Sequence, residues 1–137
     1  MRVCKLAITT NRWIILAKKI LIVEDDSFLQ GLASTKLEKE GFTVYGASNS
    51  DEATKILATD APDLVLLDLV LPGKDGFEIL RGIREVEATK NLPVIVFSNL
   101  SEDKDIKHAK DLGATDYMVK SNFTLDELAD QIKVILK

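Results

Sequence analysis

Acidic, hydroxyl and amino side chains stand directly after four separate apolar runs of this sequence. If the runs form neighbouring strands of one parallel sheet, the side chains that follow them gather at one edge. Two negative charges about 4 Å apart repel by roughly 4 kcal/mol at an effective dielectric constant of about 20, so carboxylates there need a counter-charge. Mg²⁺ would supply it, because it prefers oxygen ligands and is commonly held by carboxylates together with phosphate oxygens. The side chains are Glu24, Asp25 and Asp26 after the first run, Asp68 after the third, Ser98 after the fourth and Lys120 after the fifth.

Asp68 is the best candidate for a reactive group. A carboxylate can act as a nucleophile toward phosphorus and form an aspartyl-phosphate. Asp68 ends a strongly apolar run and precedes the segment 69–76, in which a proline and two glycines favour an irregular loop. Lys120 would pair with a transferred phosphoryl group, and the Ser98 hydroxyl would hydrogen-bond one of its oxygens.

Each of these side chains also has a purely structural interpretation. An aspartate after a strand often begins a loop or caps a helix, and the cap is the role expected of Asp26. Ser98 could be a strand-end hydroxyl, Lys120 a surface lysine and Tyr117 a half-buried aromatic of an edge strand. Only a shared edge of one sheet favours a functional interpretation of the whole set.

Five repeated strand and helix units would place these groups together. From Lys19 onward, short apolar runs alternate with segments of helical period, which is typical of a parallel sheet covered by helices. The first, third and fourth runs are unbroken, as expected of strands covered on both faces, whereas the second and fifth contain Thr, Gly or Asp and belong at the edges. Right-handed crossovers then predict an α/β, doubly wound, flavodoxin-like sheet in the order 2-1-3-4-5. The predicted strands cover residues 20–23, 43–47, 64–67, 94–97 and 115–119.

Helix signals occupy the segments between these runs. In the first helix, the apolar residues Phe28, Leu29, Leu32 and Leu37 have nearly helical spacing and are predicted to face the core. Two later helices carry capping-box pairs, in which two residues three positions apart each accept a hydrogen bond from the other's backbone. These pairs are Asn49 with Glu52 and Thr124 with Glu127.

Composition indicates one globular domain. The chain has 137 residues, of which 46% are apolar and 29% charged, and this suits one ordinary core with a solvated surface. Its single cysteine, Cys4, cannot form an intramolecular disulfide, so a cytoplasmic protein is expected. From residue 20 onward, 13 basic residues stand against 22 acidic ones, which disfavours direct binding to nucleic acid.

Residues 1–17 are predicted to be an N-terminal extension of a domain formed by residues 18–137. The first 19 residues contain five basic side chains and no acidic ones. The apolar run 13–17 has five residues, whereas a membrane-spanning helix needs about 20, so no membrane association is expected.

Four blocks of the sequence resemble the hallmark blocks of the response-regulator receiver domains of two-component signalling. The blocks occur in the family's order and spacing, and the similarity covers roughly residues 19–136. The resemblance implies a stand-alone receiver domain, because the chain ends directly after the last predicted helix. The matching blocks are residues 20–26, 63–76, 93–98 and 116–120.

The resemblance implies a role for each residue of the predicted site. Asp68 would accept a phosphoryl group from a histidine kinase or a histidine phosphotransfer protein, with Mg²⁺ or Mn²⁺ as cofactor. Asp25 would bind the cation directly and Glu24 through water. The remaining implied roles are a metal-ligating backbone carbonyl at Val70, contacts to phosphoryl oxygens from Ser98 and Lys120, and a switch rotamer at Tyr117.

The same resemblance implies that phosphorylation shifts a two-state equilibrium, which a downstream protein reads. The implied contact face is formed by the fourth helix, the fifth strand and the fifth helix, roughly residues 101–112 and 114–136. No enzymatic activity is expected beyond the protein's own phosphorylation and dephosphorylation.

Two features of the chain modify these expectations. The family usually has a proline in a cis peptide where Ser121 follows Lys120, and a cis bond without proline costs about 2.5–4 kcal/mol. A trans bond is therefore favoured, which leaves the position of Lys120 open.

Family members often carry polar side chains where Val70 and Leu100 stand, and these apolar side chains cannot orient an attacking water molecule. Slow self-hydrolysis of the phosphoryl group is therefore expected.

Three other functions match parts of the pattern. A nucleotide-binding enzyme of doubly wound fold would have a Gly-rich loop after its first strand, where this chain has three acids. A hydrolase of the dehalogenase-like type would have a second acid two positions after its aspartate nucleophile, where Val70 stands. A degenerate receiver would bind partners without phosphorylation, and only Ser121 favours this alternative.

Overall fold

The computed structural model describes residues 17–137, so the predicted N-terminal extension lies, except for Ala17, outside the described residues. Five parallel strands form one sheet in the order β2-β1-β3-β4-β5, which confirms the predicted topology. Three strand bounds differ from the prediction by one residue, because pairing begins or ends where the side-chain pattern does not show it. The strands are β1 (Lys19–Val23), β2 (Thr43–Ala47), β3 (Leu64–Leu67), β4 (Val94–Ser98) and β5 (Asp116–Val119).

Helices cover both faces of this sheet. Alternate residues of each central strand point to opposite faces, so the buried side chains form two clusters. One cluster packs beneath α2, α3 and α4, and the other beneath α1 and α5. These helices are α1 (Ser27–Lys39), α2 (Ser50–Asp60), α3 (Gly76–Glu85), α4 (Asp103–Asp111) and α5 (Leu125–Ile135), and a 3₁₀ turn (Lys120–Asn122) links β5 to α5.

The buried face of α1 differs from the predicted one. Ala33 and Leu37 are buried, but Phe28 is 74% and Leu32 44% exposed, so the prediction was wrong for these two residues. Leu29, Ala33 and Leu37 follow one another at four-residue spacing and form one stripe along the helix. Phe28 and Leu32 form a second stripe that is rotated by one residue, about 100°, toward solvent.

Helix caps are confirmed in one case and partly wrong in the other. Thr124 and Glu127 form the predicted capping box at the start of α5. At α2, Asn49 accepts a hydrogen bond from the Glu52 backbone N–H at 2.9 Å, as predicted. The Glu52 carboxylate, however, accepts from the backbone N–H of Ser48 at 2.7 Å, one residue before the cap.

Candidate functional site

Three carboxylates meet where β1 and β3 end. These strands are neighbours, with Val23 opposite Leu67, so the residues that follow them lie side by side. Glu24, Asp25 and Asp68 each offer a carboxylate oxygen within 4.8 Å of the others. Glu24 and Asp68 are buried, at 4% and 6% exposure, whereas Asp25 is exposed. The structure therefore brings together the acidic group that the sequence predicts.

Lys120 lies between two of these carboxylates. Its ammonium nitrogen is 2.6 Å from Glu24 Oε1 and 2.9 Å from Asp68 Oδ2. Every peptide bond in residues 17–137 is trans, including the bond to Ser121, and the chain enters the 3₁₀ turn at Lys120. Serine in place of the family's proline therefore does not remove Lys120 from the site.

Burial and ion pairing have opposite effects on the pKa values of Glu24 and Lys120. Burial raises the pKa of Glu24, the hydrogen bonds from Lys120 and from the Asp26 backbone lower it, and the net shift is upward. For Lys120, burial by itself lowers the pKa, but the bonds to Glu24 and Asp68 outweigh it and the pKa is raised. One ammonium thus lies within hydrogen-bond distance of two buried carboxylates.

The donor set of the cluster suits a hard divalent cation. All its ligand atoms are carboxylate oxygens, which is the chemistry that Mg²⁺ and Ca²⁺ prefer. Asp25 makes no side-chain hydrogen bond among the described residues, and Asp68 Oδ1 accepts only from the Val70 backbone N–H, at 3.2 Å. Three acids against the single positive charge of Lys120 leave negative charge for a cation to neutralise. The structure thus provides a fitting set of ligands.

Gly76 supports the backbone of Asp68, and its role was not predicted. A Cβ atom on Gly76 would lie 2.4 Å from Leu69 Cα and 2.5 Å from the Asp68 backbone oxygen. The Gly76 N–H donates to the Leu69 carbonyl at 2.9 Å. Only glycine lets the start of α3 pack directly on this peptide, and the Asp75-Gly76 pair ahead of a helical pattern was the available signal.

Ser98 and Tyr117 meet at Leu100 rather than at the acidic cluster. Ser98 is fully buried, and its hydroxyl oxygen accepts a hydrogen bond from the Leu100 N–H at 3.3 Å. The Tyr117 hydroxyl donates to the Leu100 carbonyl at 2.7 Å. Burial, with the charges of Asp105 and Asp68, raises the pKa of Tyr117 to about 12. Within residues 17–137, Ser98 makes no hydrogen bond to the acidic cluster or to Lys120.

Several exposed apolar side chains come shortly after residues of the site in the sequence, and their exposure was not predicted. They follow the same strand ends: Phe28 comes four residues after Glu24, and Phe123 three residues after Lys120. Four large apolar side chains with high exposure are close in sequence to these residues, namely Phe28 at 74%, Leu32 at 44%, Val70 at 56% and Phe123 at 39%. Within residues 17–137, no helix has both the length and the apolar character that crossing a bilayer requires.

Comparisons with known proteins agree with this fold. The family model of the response regulator receiver domain matches residues 20–133. Sporulation initiation phosphotransferase F of Bacillus subtilis is 37% identical over 119 residues, which cover 87% of this chain and 94% of that protein.

Solved structures show the same similarity. The BeF₃-activated N-terminal receiver domain of Klebsiella pneumoniae RstA has a TM-score of 0.80 and 32% identity, covering 87% of this chain and 98% of that one. The phosphorylated cyanobacterial phytochrome response regulator RcpA has a TM-score of 0.74 and 35% identity, with 87% and 91% covered. The resemblance seen in the sequence blocks is confirmed: the chain belongs to the response regulator receiver domain family.

Proposed function

We propose that this protein is a phosphoacceptor switch in which Asp68 receives a phosphoryl group from a phosphohistidine. The donor would be a histidine kinase or a histidine phosphotransfer protein, and membership in a family of two-component signalling supports this. The name of the Bacillus relative, a phosphotransferase of sporulation, favours a phosphorelay. The observation that carries the proposal is Asp68 itself, a buried carboxylate held by Lys120 within an acidic cluster.

The bonds that form and break in the transfer belong to Asp68 and the donor. One Asp68 oxygen attacks the phosphorus, a P–O bond forms, and the P–N bond to the donor histidine breaks, with its electron pair returning to the imidazole nitrogen. Lys120, already 2.9 Å from Asp68, would follow the new charge to a phosphoryl oxygen. Ser98 would donate a hydrogen bond from its hydroxyl to another phosphoryl oxygen, and Tyr117 would report this through Leu100.

A divalent cation, Mg²⁺ or Mn²⁺, would complete the site. Asp25 and Asp68 would bind it directly, Glu24 would bind through water, and the Val70 carbonyl would be a further ligand. When bound, it would supply positive charge between the carboxylates and the incoming phosphoryl oxygens. We further propose that the protein catalyses only its own phosphorylation and dephosphorylation and that it acts in the cytoplasm. A downstream partner protein would bind the face formed by α4, β5 and α5.

Phosphorylation by a small phosphodonor such as acetyl phosphate tests this proposal. Wild-type protein with Mg²⁺ is expected to gain the mass of one phosphoryl group, and a chelator should prevent the gain. No added mass would contradict the proposal and would favour a degenerate receiver that binds partners without phosphorylation. Lys120 reaches Asp68 despite Ser121, which supports the phosphoacceptor over that alternative.

The phosphoryl group is expected to be long-lived. Val70 is exposed beside Asp68 and Leu100 is partly buried beside Ser98, and neither side chain can orient a water molecule for attack on phosphorus. Val70→Asn should therefore shorten the lifetime severalfold, measured as loss of phosphoryl mass after the donor is removed. Val86→Asn, at an equally exposed valine just after α3, is the control and should leave it unchanged. Rapid loss from the wild type would contradict the expectation.

The exposed apolar side chains around the cluster would receive the protein donor. A phosphohistidine must come within bonding distance of Asp68, so the donor must cover this edge of the sheet. Exposed aromatic residues on such an edge are typical contact residues of protein interfaces. Phe28 and Leu32, side by side on α1, are the most prominent pair, and we infer that they contact the donor.

Substitution of Phe28 should separate protein donors from small ones. Phe28→Ser is expected to slow transfer from a phosphorylated kinase or phosphotransfer protein roughly tenfold, as loss of a central interface aromatic does. Phosphorylation by acetyl phosphate should keep its wild-type rate. Val134→Ser, at a valine 62% exposed near the end of α5 and at the opposite end of the sheet, is the control. Equal slowing with both donors would argue against a docking role.

A further inference from the structure

The side-chain amide of Gln30 joins the ends of β1 and β2 beside the acidic cluster. Its Nε2 donates to the Glu24 carbonyl at 2.9 Å and to the Ala47 carbonyl at 3.1 Å. Both partners can only accept hydrogen bonds, so they fix which end of the amide carries the NH₂ group. Gln30 reaches these carbonyls from the first half of α1.

This amide continues the sheet ladder by one step. Pairing of β1 with β2 ends at Val23 and Ala47, followed by a bond from the Glu24 N–H to the Ala47 carbonyl at 2.9 Å. The next carbonyl along β1 belongs to Glu24, and Gln30 is its partner. Because that carbonyl is part of the peptide that joins Glu24 to Asp25, the Gln30 amide fixes the plane of this peptide.

Gly46 provides the space for this amide. A Cβ on Gly46 would lie 2.4 Å from Gln30 Oε1 and 2.8 Å from Gln30 Cδ, so any larger residue would displace the amide. Glycine weakens a strand, and its presence within β2 is explained by this close approach. Gln30 and Gly46 thus form a matched pair at the end of the sheet.

Asp25 depends most on the orientation of this peptide. The other two acids of the run are held by their side chains: Glu24 Oε2 accepts from the Asp26 N–H at 3.1 Å, and Asp26 Oδ1 caps α1. The Asp25 carboxylate is exposed and makes no hydrogen bond among the described residues. Its direction is therefore set by the backbone that Gln30 holds.

We propose that Gln30, with the space left by Gly46, is a positioning residue that aims the Asp25 carboxylate for binding a divalent cation. The inference rests on the proposed function, because it assumes that the acidic cluster binds this cation. Groups that orient metal ligands without touching the metal typically change its affinity by about tenfold to a hundredfold when removed. Gln30 should therefore act on cation affinity and not on the transfer step itself.

Calorimetric titration with Mg²⁺ tests the inference without reference to phosphorylation. Gln30→Ala is expected to weaken Mg²⁺ binding about tenfold or more, whereas the phosphorylation rate at saturating Mg²⁺ should stay near that of the wild type. Gln131→Ala is the matched control, because the Gln131 amide makes a similar bond, at 2.9 Å, to Asp116 at the far edge of the sheet. It should leave Mg²⁺ affinity unchanged.

A double-mutant cycle with Gly46→Ala makes the test specific to the matched pair. Gly46→Ala should weaken Mg²⁺ binding in the wild type, where it displaces the amide, but not in the Gln30→Ala background. Additive losses, or Gln30→Ala binding as tightly as the wild type, would overturn the inference while leaving the proposed function intact. Absence of Mg²⁺ binding by the wild type would instead overturn both.

Discussion

An Asp68→Asn variant is expected to gain no phosphoryl mass from acetyl phosphate and Mg²⁺ under conditions that modify the wild type. The amide lacks the nucleophilic carboxylate oxygen but keeps the shape of the side chain and an oxygen for Lys120. Asp63→Asn is the matched control, because Asp63 and Asp68 precede and follow the same strand, β3. Asp63 accepts a hydrogen bond from the Lys19 N–H at 2.8 Å, at the other end of the strand. This control should be phosphorylated normally.

The variant also offers a check on its own folding. Asp68→Asn removes one negative charge from a crowded acidic cluster, so its free energy of unfolding should equal or exceed that of the wild type. Intact-mass measurement and urea unfolding on the same samples would show both results. Phosphoryl mass on a folded Asp68→Asn would mean that another group is the acceptor, and loss of phosphorylation in Asp63→Asn would remove the specificity of the result.

Replacement of Lys120 by methionine is expected to give the largest change in stability. Among the described residues, Lys120 is the only cationic partner of Glu24 and Asp68, and its side chain is only 13% exposed. Removing one partner of a buried ion pair typically costs about 3–5 kcal/mol, because the other charge stays buried without compensation. Urea unfolding of Lys120→Met at neutral pH should show a loss of this size.

The pH dependence of the stability loss in Lys120→Met follows from the raised pKa of Glu24. The folded-state pKa of Glu24 is already above its ordinary value, so the folded state binds its proton more tightly than the unfolded state does. The contribution of Glu24 to stability should therefore rise as pH falls from neutral toward the ordinary carboxyl pKa, and more steeply in Lys120→Met, where no ammonium lowers the Glu24 pKa. Added Mg²⁺ should restore stability at neutral pH by binding the folded state.

Lys133→Met provides the comparison for a surface ion pair. Lys133 contacts Glu40, but its side chain is 47% exposed, so water and salt screen the pair. We expect a far smaller loss of stability and no gain of Mg²⁺ dependence in this variant. If Lys120→Met were no more dependent on pH and Mg²⁺ than Lys133→Met, Lys120 would not be the counter-charge of the cluster.

Strand order and the meeting of the acidic groups were predictable because both follow from short-range patterns. Unbroken apolar runs identify central strands, and the parallel arrangement then places Glu24, Asp25 and Asp68 at one edge. The buried face of α1 was not predictable in the same way. Phe28 is more apolar than Ala33, yet Ala33 is buried, because packing selects a stripe by its angle around the helix and not by hydrophobicity alone.

Side-chain partners across long sequence separations also lay beyond the sequence pattern. Lys120 and Glu24 are 96 positions apart in the sequence, and only the packing of the sheet brings their side chains together. The link from Tyr117 to Ser98 runs through the backbone N–H and carbonyl of Leu100. Only the side chain of Leu100 entered the prediction from sequence. The amide of Gln30 gave no signal either, because a glutamine on a helix is usually solvated.

Lys120 would also compete with any divalent cation that binds the acidic cluster. The ammonium is a tethered competitor, because its effective concentration at Asp68 is set by the chain and does not fall when the protein is diluted. A divalent cation or phosphoryl group that takes the Asp68 oxygen held by Lys120 must first release this internal counter-ion. Occupancy of the cluster by divalent cations should therefore require a higher cation concentration than three carboxylates without Lys120 would need. If the proposed function holds, the resting concentration of divalent cations would then limit how readily Asp68 is phosphorylated.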